Sequence, residues 1–582
     1  MLTGLLLGVL AGLGEVAHLT WFVQGVGFKP TLIAYGMVID GIVGLAIGAA
    51  VGLVSGFLAA RRAPRVKPLP ATVIVHKVWG SAPAKPSPNT ISRRSALRLG
   101  LIAGSAAVLG AGALSVAGVV RRGSGGAALA YAPSSAAGER PNILLITLDT
   151  IRADFIGAYG DTVTKTPNLD VLAKQSARFD WHMIQEPQTN PSHASMFTGM
   201  YPSASGVRIH MVDKLPANLQ TLATLLGGAG YATAGLYSWL SLDPQYCDFQ
   251  RGFQLYQNVA GQKSELLDLP FLRQLGADFR VGEEYFALPR EIGNLMPMQQ
   301  QVQWTDKGRA DITTDAAIAQ LRTLAGQPFF LWVHYFDAHY PYVPPVGYAE
   351  QYSPGYRGPV NNSMDTVDAI QNGKLNPRGA DLQELEGLYR GAVTFLDSQL
   401  GRLFAALDQL NLGSNTVLAL TADHGEAFGE HPQSAEGVDF FHPHSLHNEE
   451  QRTPLLLRYP AKLKGGAVVK APTQAIDLFP TFLELAGVAA PGQSQGTSLV
   501  PLLDGRDDGA NRAAFASMPD YTFSSVTIPG WKYIQNNPAG SHELFDLNND
   551  PGETRDVSGA NPSVVSQLAN STEAWMKAVK IS

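Results

Sequence analysis

The stretch that decides the fold is PNILLITLD at residues 141–149, an apolar run that ends in a carboxylate, Asp149. A continuous apolar run of this length is typical of a strand that is buried on both faces of a sheet. Three further apolar runs predict strands of the same kind: Ala232–Tyr237, Phe329–Tyr335 and Thr416–Thr421. Three amphipathic segments predict helices: Leu169–Phe179, Leu219–Gly230 and Leu382–Gln409. Strands that alternate with helices predict an α/β fold, a mostly parallel sheet sandwiched by helices.

Carboxylates stand at or just past the ends of three predicted strands, at Asp149, Asp337 and Asp423. The carboxyl ends of parallel strands meet at one edge of the sheet, where such folds bind ligands. Asp149, Asp423 and the adjacent His424 supply two carboxylates and an imidazole, which suit a divalent metal ion with one further oxygen ligand. For Asp337, the favoured interpretation is that it orients His339 or caps a turn.

The further oxygen ligand is predicted to come from QTNPSHASMFTG at residues 188–199. Pro191 suits the first turn of a helix, which places Thr189 at the positive end of that helix. A hydroxyl bound to a metal has a lowered pKa and can act as a nucleophile. The same helix end stabilises a tetrahedral oxyanion such as phosphate or sulfate. Each motif alone is weak, because Asp-His-Gly commonly forms a turn and Thr-x-Pro-Ser commonly caps a helix.

In combination, the motifs resemble the sulfatase family of the alkaline phosphatase superfamily, over about Arg140–Val579. The matching stretches stand in the order found in the family: PNILLITLDTIRAD (141–154), TPNLD (166–170), PSHASMFTG (191–199), HYFDAHYP (334–341), DHGE (423–426), HSLHNE (444–449), GWKYI (530–534) and ELFDLNNDPGE (543–553). The resemblance implies an alkaline phosphatase-like catalytic domain at residues 141–500 and a small C-terminal α+β subdomain at residues 501–582.

The resemblance also implies roles for individual residues. The metal ligands that it implies, for Mn, Zn, Ca or Mg, are Asp149, Thr189, Asp423 and His424. His339 and His444 would flank the transferred group, and His193 would replace the arginine that orients the nucleophile. As an alternative, His193 only satisfies a backbone carbonyl. Four other histidines are interpreted as surface or supporting residues, with a second metal site as the alternative: His210, His431, His442 and His447.

Two departures from the family pattern bear on the reaction. Sulfatases that use formylglycine carry Cys or Ser in a Cys-x-Pro-Ser-Arg motif, whereas this sequence has Thr189 and His193 at those places. The single cysteine, Cys247, lacks that context, so no formylglycine is expected. A Thr nucleophile resembles the phosphoryl-handling relatives of the family, which favours hydrolysis or transfer of a phospho(di)ester. Two alternatives stay open: a sulfuric-ester hydrolase that does not use formylglycine, and a catalytically silent membrane-anchored scaffold.

The residues before the predicted catalytic domain have a different character. Residues 1–140 hold 13 Lys+Arg against 3 Asp+Glu, although the whole chain of 582 residues has a net charge of -6. Three apolar spans are long enough to cross a membrane, and they run over about Leu5–Val26, Thr31–Ala59 and Leu99–Val120. They predict two transmembrane helices in residues 1–60, a basic cytoplasmic loop at 61–97, and a third helix or internal twin-arginine export signal at 98–121, followed by a linker at 122–140.

This organisation predicts a multi-pass protein of the cell membrane with its catalytic domain outside the cytoplasm. The expected partners are the membrane and a phosphate or sulfate ester, with a lipid headgroup or cell-envelope polymer as candidate substrates. Nucleic acid is not expected, because residues 141–582 hold 46 Asp+Glu against 30 Lys+Arg and would repel phosphate backbones.

Overall fold

The computed structural model describes residues 140–260, 309–431 and 439–579. No helix within these ranges is both long enough and apolar enough to cross a membrane. The predicted membrane spans, the basic loop and the linker up to residue 139 lie outside the described residues.

A nine-stranded mixed sheet forms the centre of the described chain, in the order β10-β2-β9-β6-β1-β5-β3-β4, with β11 also paired to β2. Only β9 runs antiparallel to its neighbours, β2 and β6, and the other pairings in this sheet are parallel. The strands of the described residues are β1 Asn142–Leu148, β2 Ala177–Met183, β3 Ala232–Tyr237, β4 Leu255–Asn258, β5 Phe329–Tyr335, β6 Thr416–Ala422, β7 Ala427–Phe428, β8 Phe440–Phe441, β9 Arg452–Arg458, β10 Val468–Val469, β11 Thr473–Gln474, β12 Ala514–Ser517, β13 Phe523–Ile528, β14 Trp531–Asn536 and β15 His542–Asp546.

Helices cover both faces of this sheet, as the alternating pattern predicted. Those of the described residues are α1 Pro167–Gln175, α2 Thr189–Thr198, α3 Pro202–Ser205, α4 Leu222–Gly228, α5 Pro244–Cys247, α6 Ala310–Leu324, α7 Met364–Gln371, α8 Ala380–Gln409, α9 Asn448–Gln451, α10 Leu478–Ala486, α11 Val500–Leu503 and α12 Pro562–Ala578.

Strand β1 contributes to two hydrophobic cores because its side chains alternate between the faces of the sheet. Leu144 and Ile146 belong to the core that contains Leu396 and Leu400 of α8. Ile143 and Leu145 belong to the core that contains Phe479 and Phe482 of α10. Burial on both faces explains why this strand reads as an uninterrupted apolar run.

The predicted helix Leu169–Phe179 is shorter in the structure, because it ends at Gln175 and is followed by β2. Ser176 is extended, with φ -113° and ψ 166°. In β2, Ala177 and Phe179 are fully buried while Arg178 lies on the other face, a period of two that belongs to a strand. Pairing with β9 adds the hydrogen bonds that a single-sequence prediction does not see.

A second, smaller unit of structure follows the main sheet. Strands β12 to β15 form a four-stranded antiparallel sheet. Leu568 of α12 packs against Val526, Tyr533 and Leu544 of this sheet. We refer to residues 514–579 as the C-terminal subdomain. One of the contacts that join it to the main domain is the hydrogen bond from the Ser525 hydroxyl to Oε1 of Gln451, at 3.1 Å.

Candidate active site

The candidate active site lies at the carboxyl edge of the main sheet. Leu148 of β1 is in register with Tyr335 of β5 and with Ala422 of β6, so these three strands end level with one another. Asp149 follows β1 directly, and Asp423 follows β6 directly. Both carboxylates are at most 1% exposed. The sheet topology therefore brings together two acidic side chains that are 274 positions apart in the chain.

Thr189 reaches the same place from a helix. Gln188 is in extended conformation and is the N-cap of α2, so Thr189 is the first helical residue and Pro191 lies in the first turn, as predicted. The Thr189 hydroxyl lies 3.5 Å from Nε2 of His424. Nδ1 of His424 lies 3.0 Å from the Gly425 carbonyl oxygen, which can only accept a hydrogen bond. In a neutral ring, Nδ1 therefore carries the proton and Nε2 presents its lone pair to Thr189.

The four predicted metal ligands form a compact set. Nε2 of His424 is 3.8 Å from Oδ1 of Asp149 and 3.8 Å from Oδ2 of Asp423, in addition to its contact with Thr189. Ligands that each lie about 2.0–2.2 Å from a metal ion stand roughly 3–4 Å apart, so these spacings fit a shared ion. Oδ2 of Asp423 is buried and makes no hydrogen bond within the described chain. Burial and the nearby Asp149 raise the pKa of Asp423, which is the strain that a cation would relieve.

His193 supports the nucleophile position from within α2. Its Nδ1 lies 2.8 Å from the Thr189 carbonyl oxygen and 3.7 Å from Oδ2 of Asp423, and its Nε2 lies 3.0 Å from the Thr147 hydroxyl. Burial lowers the pKa of His193 to about 4, although Asp423 raises it. The neutral ring satisfies a backbone carbonyl, as the alternative interpretation held. It also holds the first turn of α2 against the candidate metal ligands.

His339 and His442 form one wall of the site. The His442 ring centroid lies 4.1 Å from that of His424 and 5.0 Å from that of His339. Nδ1 of His442 lies 2.8 Å from Oε1 of Glu426, and the ring of His339 stacks on Phe336 at 4.4 Å. His339 is therefore separated from His424 by the ring of His442, and its role beside the transferred group stays a prediction.

His444, which the resemblance placed beside the transferred group, is anchored through its backbone. Its backbone N–H donates to the carboxylate of Glu450 at 2.9 Å. Among the described residues, it is His442, two positions earlier, whose ring lies against His424. The contact with Glu450 is made by the backbone of His444, so the role of its side chain beside the transferred group stays a prediction.

Two further histidines lie at this cluster: His334, for which no role is predicted, and His210, which is interpreted above as a surface or supporting residue. Nε2 of His334 lies 3.2 Å from Oδ2 of Asp149, and burial lowers the pKa of His334 to about 4. The signal for His334 is a polar residue within the otherwise apolar strand FFLWVHY. His210 donates its backbone N–H to Oε1 of Gln188 at 3.1 Å. Burial, together with the charges of His424 and His193, lowers the pKa of His210 to about 3.

Oδ1 of Asp337 accepts the Ala310 N–H at 2.9 Å, where α6 begins, and among the described residues Asp337 is not part of a group whose ligand atoms lie close enough to share an ion. Arg152 supports the loop after Asp423 by donating to the Glu426 carbonyl oxygen at 3.0 Å. Tyr389 donates to the Thr150 carbonyl oxygen at 2.7 Å, which fixes the turn that follows Asp149. Arg152 and Tyr389 therefore stabilise the loops that follow Asp423 and Asp149.

His431, His447 and Glu449 form a second cluster of potential ligands. The two imidazoles stack with centroids 4.1 Å apart and planes 6° apart. A metal ion lies close to the plane of each imidazole that binds it. Two stacked, nearly parallel rings have no position that lies in both planes, so they cannot bind one ion together. The cluster is instead an ion-pair network, in which Nδ1 of His431 meets Oε1 of Glu449 at 2.8 Å and Nε2 donates to the Glu553 carbonyl oxygen at 2.8 Å.

This network predicts a pH-dependent contribution to stability. Burial opposes the charge on His431, but its hydrogen bond to Glu449 and the charge of that carboxylate raise the pKa from 6.5 to about 9. The stabilisation is therefore complete below about pH 6.5 and is lost as the pH rises through about 9. We expect His431→Gln to lower the melting temperature at pH 6 and to have little effect at pH 10. Equal effects at both pH values would contradict this assignment.

The mixed sheet with helices on both faces is an alkaline phosphatase-like α/β fold. The sequence matches the Sulfatase family over residues 141–488, and the C-terminal region of N-sulphoglucosamine sulphohydrolase over residues 437–578. The chain therefore belongs to the sulfatase family, and it is an ester hydrolase.

Individual relatives agree with this membership. The chain is 27% identical to steryl-sulfatase of Mus musculus, over 73% of this chain and 79% of the relative. Among solved structures, BT4656 in complex with its substrate D-glucosamine-2-N,6-O-disulfate has a TM-score of 0.58 at 21% identity, over 76% of this chain and 98% of that chain. A phosphonate monoester hydrolase from Silicibacter pomeroyi has a TM-score of 0.55 at 24% identity, over 75% of this chain and 95% of that chain.

Proposed function

We propose that the chain is a metal-dependent hydrolase of phosphorus esters, phosphodiesters and phosphonate monoesters above all, with Thr189 as its nucleophile. The observation that carries this proposal is the position of the Thr189 hydroxyl, at the first residue of α2 and 3.5 Å from Nε2 of His424. Asp149 and Asp423 stand beside the same imidazole nitrogen, each at 3.8 Å. Hydroxyl, imidazole and two carboxylates would hold one divalent ion; the imidazole favours Zn over Ca or Mg, and the three oxygen ligands also suit Mn.

The ion, when bound, would lower the pKa of the Thr189 hydroxyl and neutralise charge on the ester oxygens. In the first step, Oγ1 of Thr189 forms a bond to phosphorus while the bond from phosphorus to the leaving oxygen breaks. The N–H groups that begin α2 face the anionic oxygens and stabilise them. In the second step, the oxygen of water forms a bond to phosphorus while the bond from phosphorus to Oγ1 breaks, and a proton released by the water restores the Thr189 hydroxyl. An alcohol in place of water makes the same reaction a transfer.

Protons are handled by the wall of histidines. Because Nδ1 of His442 lies 2.8 Å from Oε1 of Glu426, its proton is directed to that carboxylate and Nε2 is left to exchange a proton with the substrate or water. His339 lies beside it, with Nδ1 directed to the Tyr340 carbonyl oxygen at 2.6 Å. We assign the proton transfer to these two rings, and the orientation of Thr189 to His193.

The preference for phosphorus rests on the nucleophile. A threonine hydroxyl attacks directly and yields a phosphorylated side chain, whereas formylglycine requires a Cys or Ser precursor. The phosphonate monoester hydrolase among the structural neighbours supports the same substrate class. A sulfuric-ester hydrolase that does not use formylglycine is the second candidate, favoured by the sulfatases among the relatives.

The setting of the reaction is part of the proposal. The apolar spans and the basic loop in residues 1–121 favour a membrane anchor with the catalytic domain outside the cytoplasm. A lipid headgroup or an envelope polymer that carries a phosphoester would be within reach of such an enzyme.

A panel of aryl esters tests this function with the purified full-length protein supplied with Zn or Mn. We expect kcat/KM for an aryl phosphodiester and a phosphonate monoester to exceed that for the matched aryl sulfate by at least about tenfold, equivalent to roughly 1.4 kcal/mol in the barrier. A preference for the aryl sulfate would establish the second candidate. No turnover and no bound metal would favour the catalytically silent scaffold.

A further inference from the structure

Helix α9 connects the candidate active site to the C-terminal subdomain. The carbonyl oxygens of Glu450 and Glu449 accept the backbone N–H groups of Gly425 and Glu426, at 2.8 Å and 2.7 Å. These two N–H groups follow Asp423 and His424 directly. A Cβ at Gly425 would lie only 2.0 Å from the Glu449 carbonyl oxygen, so the turn is pressed against α9 with no side chain between them. The position of α9 therefore sets the position of the turn.

A buried ion pair of the C-terminal subdomain holds the first residue of α9. Nζ of Lys532, on β14, lies 2.9 Å from Oε1 of Glu553, and both side chains are 0% exposed. The same Nζ donates to Oδ1 of Asn448 at 2.9 Å, while Oε2 of Glu553 accepts the Asn448 N–H at 2.7 Å. Asn448 also donates through Nδ2 to the Pro551 carbonyl oxygen at 3.1 Å.

We propose that Lys532 and Glu553 are positioning residues for the candidate metal centre, acting through Asn448 and α9 on the Asp423–Glu426 turn. This inference rests on the proposed function, because it concerns the metal centre of that site. The C-terminal subdomain would then help to position the metal ligands, although neither Lys532 nor Glu553 contacts the reacting groups.

Stability alone does not account for the pair. Two charges buried from water are often replaced by apolar side chains of similar volume without loss of stability. An apolar pair, however, would neither donate to Oδ1 of Asn448 nor accept its N–H. The polar groups of both side chains are therefore needed to hold Asn448, and with it α9, in position. Residues that orient metal ligands indirectly typically change metal affinity by about 10–100-fold when they are removed.

The test measures affinity for Zn²⁺ alone, by competition with a chromophoric chelator, using the full-length protein. We expect Lys532→Met and Glu553→Gln each to weaken Zn²⁺ binding by about tenfold, at the lower end of that range because they act through the backbone. Asn448→Ala, which leaves the ion pair intact, should weaken binding to the same extent. Adding it to Lys532→Met should give no further loss, because both changes interrupt one chain of contacts. Lys577→Met, at an exposed position of α12, is the matched control and should bind Zn²⁺ like the wild type.

The outcomes separate the inference from the proposed function. If Lys532→Met and Asn448→Ala lower the melting temperature but bind Zn²⁺ with wild-type affinity, the pair is purely structural and the inference is wrong. If Lys532→Met does not fold, the Zn²⁺ affinity of Asn448→Ala alone decides whether the pair positions the metal centre or is purely structural. If the wild-type protein itself binds no metal ion, the proposed function fails, and the inference fails with it.

Discussion

Replacing Thr189 with alanine is expected to abolish turnover of the aryl phosphodiester, with kcat lowered by about 10⁴-fold or more. Removal of a covalent nucleophile typically costs losses of this size or larger, because the residual rate comes from binding and charge stabilisation alone. The structural effect should be small, since the hydroxyl of Thr189 is directed to the site and its 3.5 Å contact with His424 is a long one. The measurement is kcat with the metal-loaded protein, alongside its melting temperature.

Thr189→Ser is the matched variant, because it keeps a hydroxyl at the same atom position and removes only a methyl group. It should retain substantial activity. An alanine variant that keeps wild-type kcat would remove Thr189 from the mechanism, although the family membership would stand.

The second large effect is expected for Asp423→Asn, which should lose stoichiometric binding of Zn²⁺ or Mn²⁺ and lower kcat/KM by about 10³-fold. The amide keeps an oxygen to accept the N–H groups of Thr150 and His424, at 3.3 Å and 2.9 Å, so the turn should persist. Saturating metal stabilises a protein that binds it, by about 2.7 kcal/mol at 100 times Kd. That gain should disappear in the variant, which gives a measurement independent of activity.

Asp337→Asn is the control for this experiment. Asp337 also follows a strand at the same edge of the sheet, but its carboxylate accepts the Ala310 N–H at the start of α6. We expect this control to bind metal normally. If Asp423→Asn retains the metal-dependent rise in melting temperature, the ion binds elsewhere.

The sequence was informative where chemistry coincides with strand ends. Asp149, Asp423 and His424 could be predicted together because each follows an apolar strand, and parallel strands end at a common edge. Thr189 could be added because a helix start beside Pro191 is a local signal. These predictions needed only the order of elements and no long-range packing.

Features that depend on packing escaped prediction. Strand β2 was assigned to a helix beyond Gln175, because its alternation became decisive only in partnership with β9. His442 is interpreted from the sequence as a surface or supporting residue, whereas its ring lies against that of His424, because the fold of the loop around Pro443 brings it there. Lys532 lies 84 positions after Asn448 in the chain, so no local sequence pattern indicates the contact between them.

The most direct test of the account is to look for the covalent enzyme itself. The full-length, metal-loaded protein would be mixed with an aryl phosphodiester, quenched in acid within the first turnover, and digested for peptide mass spectrometry. The account predicts a phosphoryl ester on the Thr189 side chain, formed with release of one equivalent of phenol and absent from Thr189→Ala. Steady turnover with Thr189 unmodified, and with Thr189→Ala fully active, would contradict it.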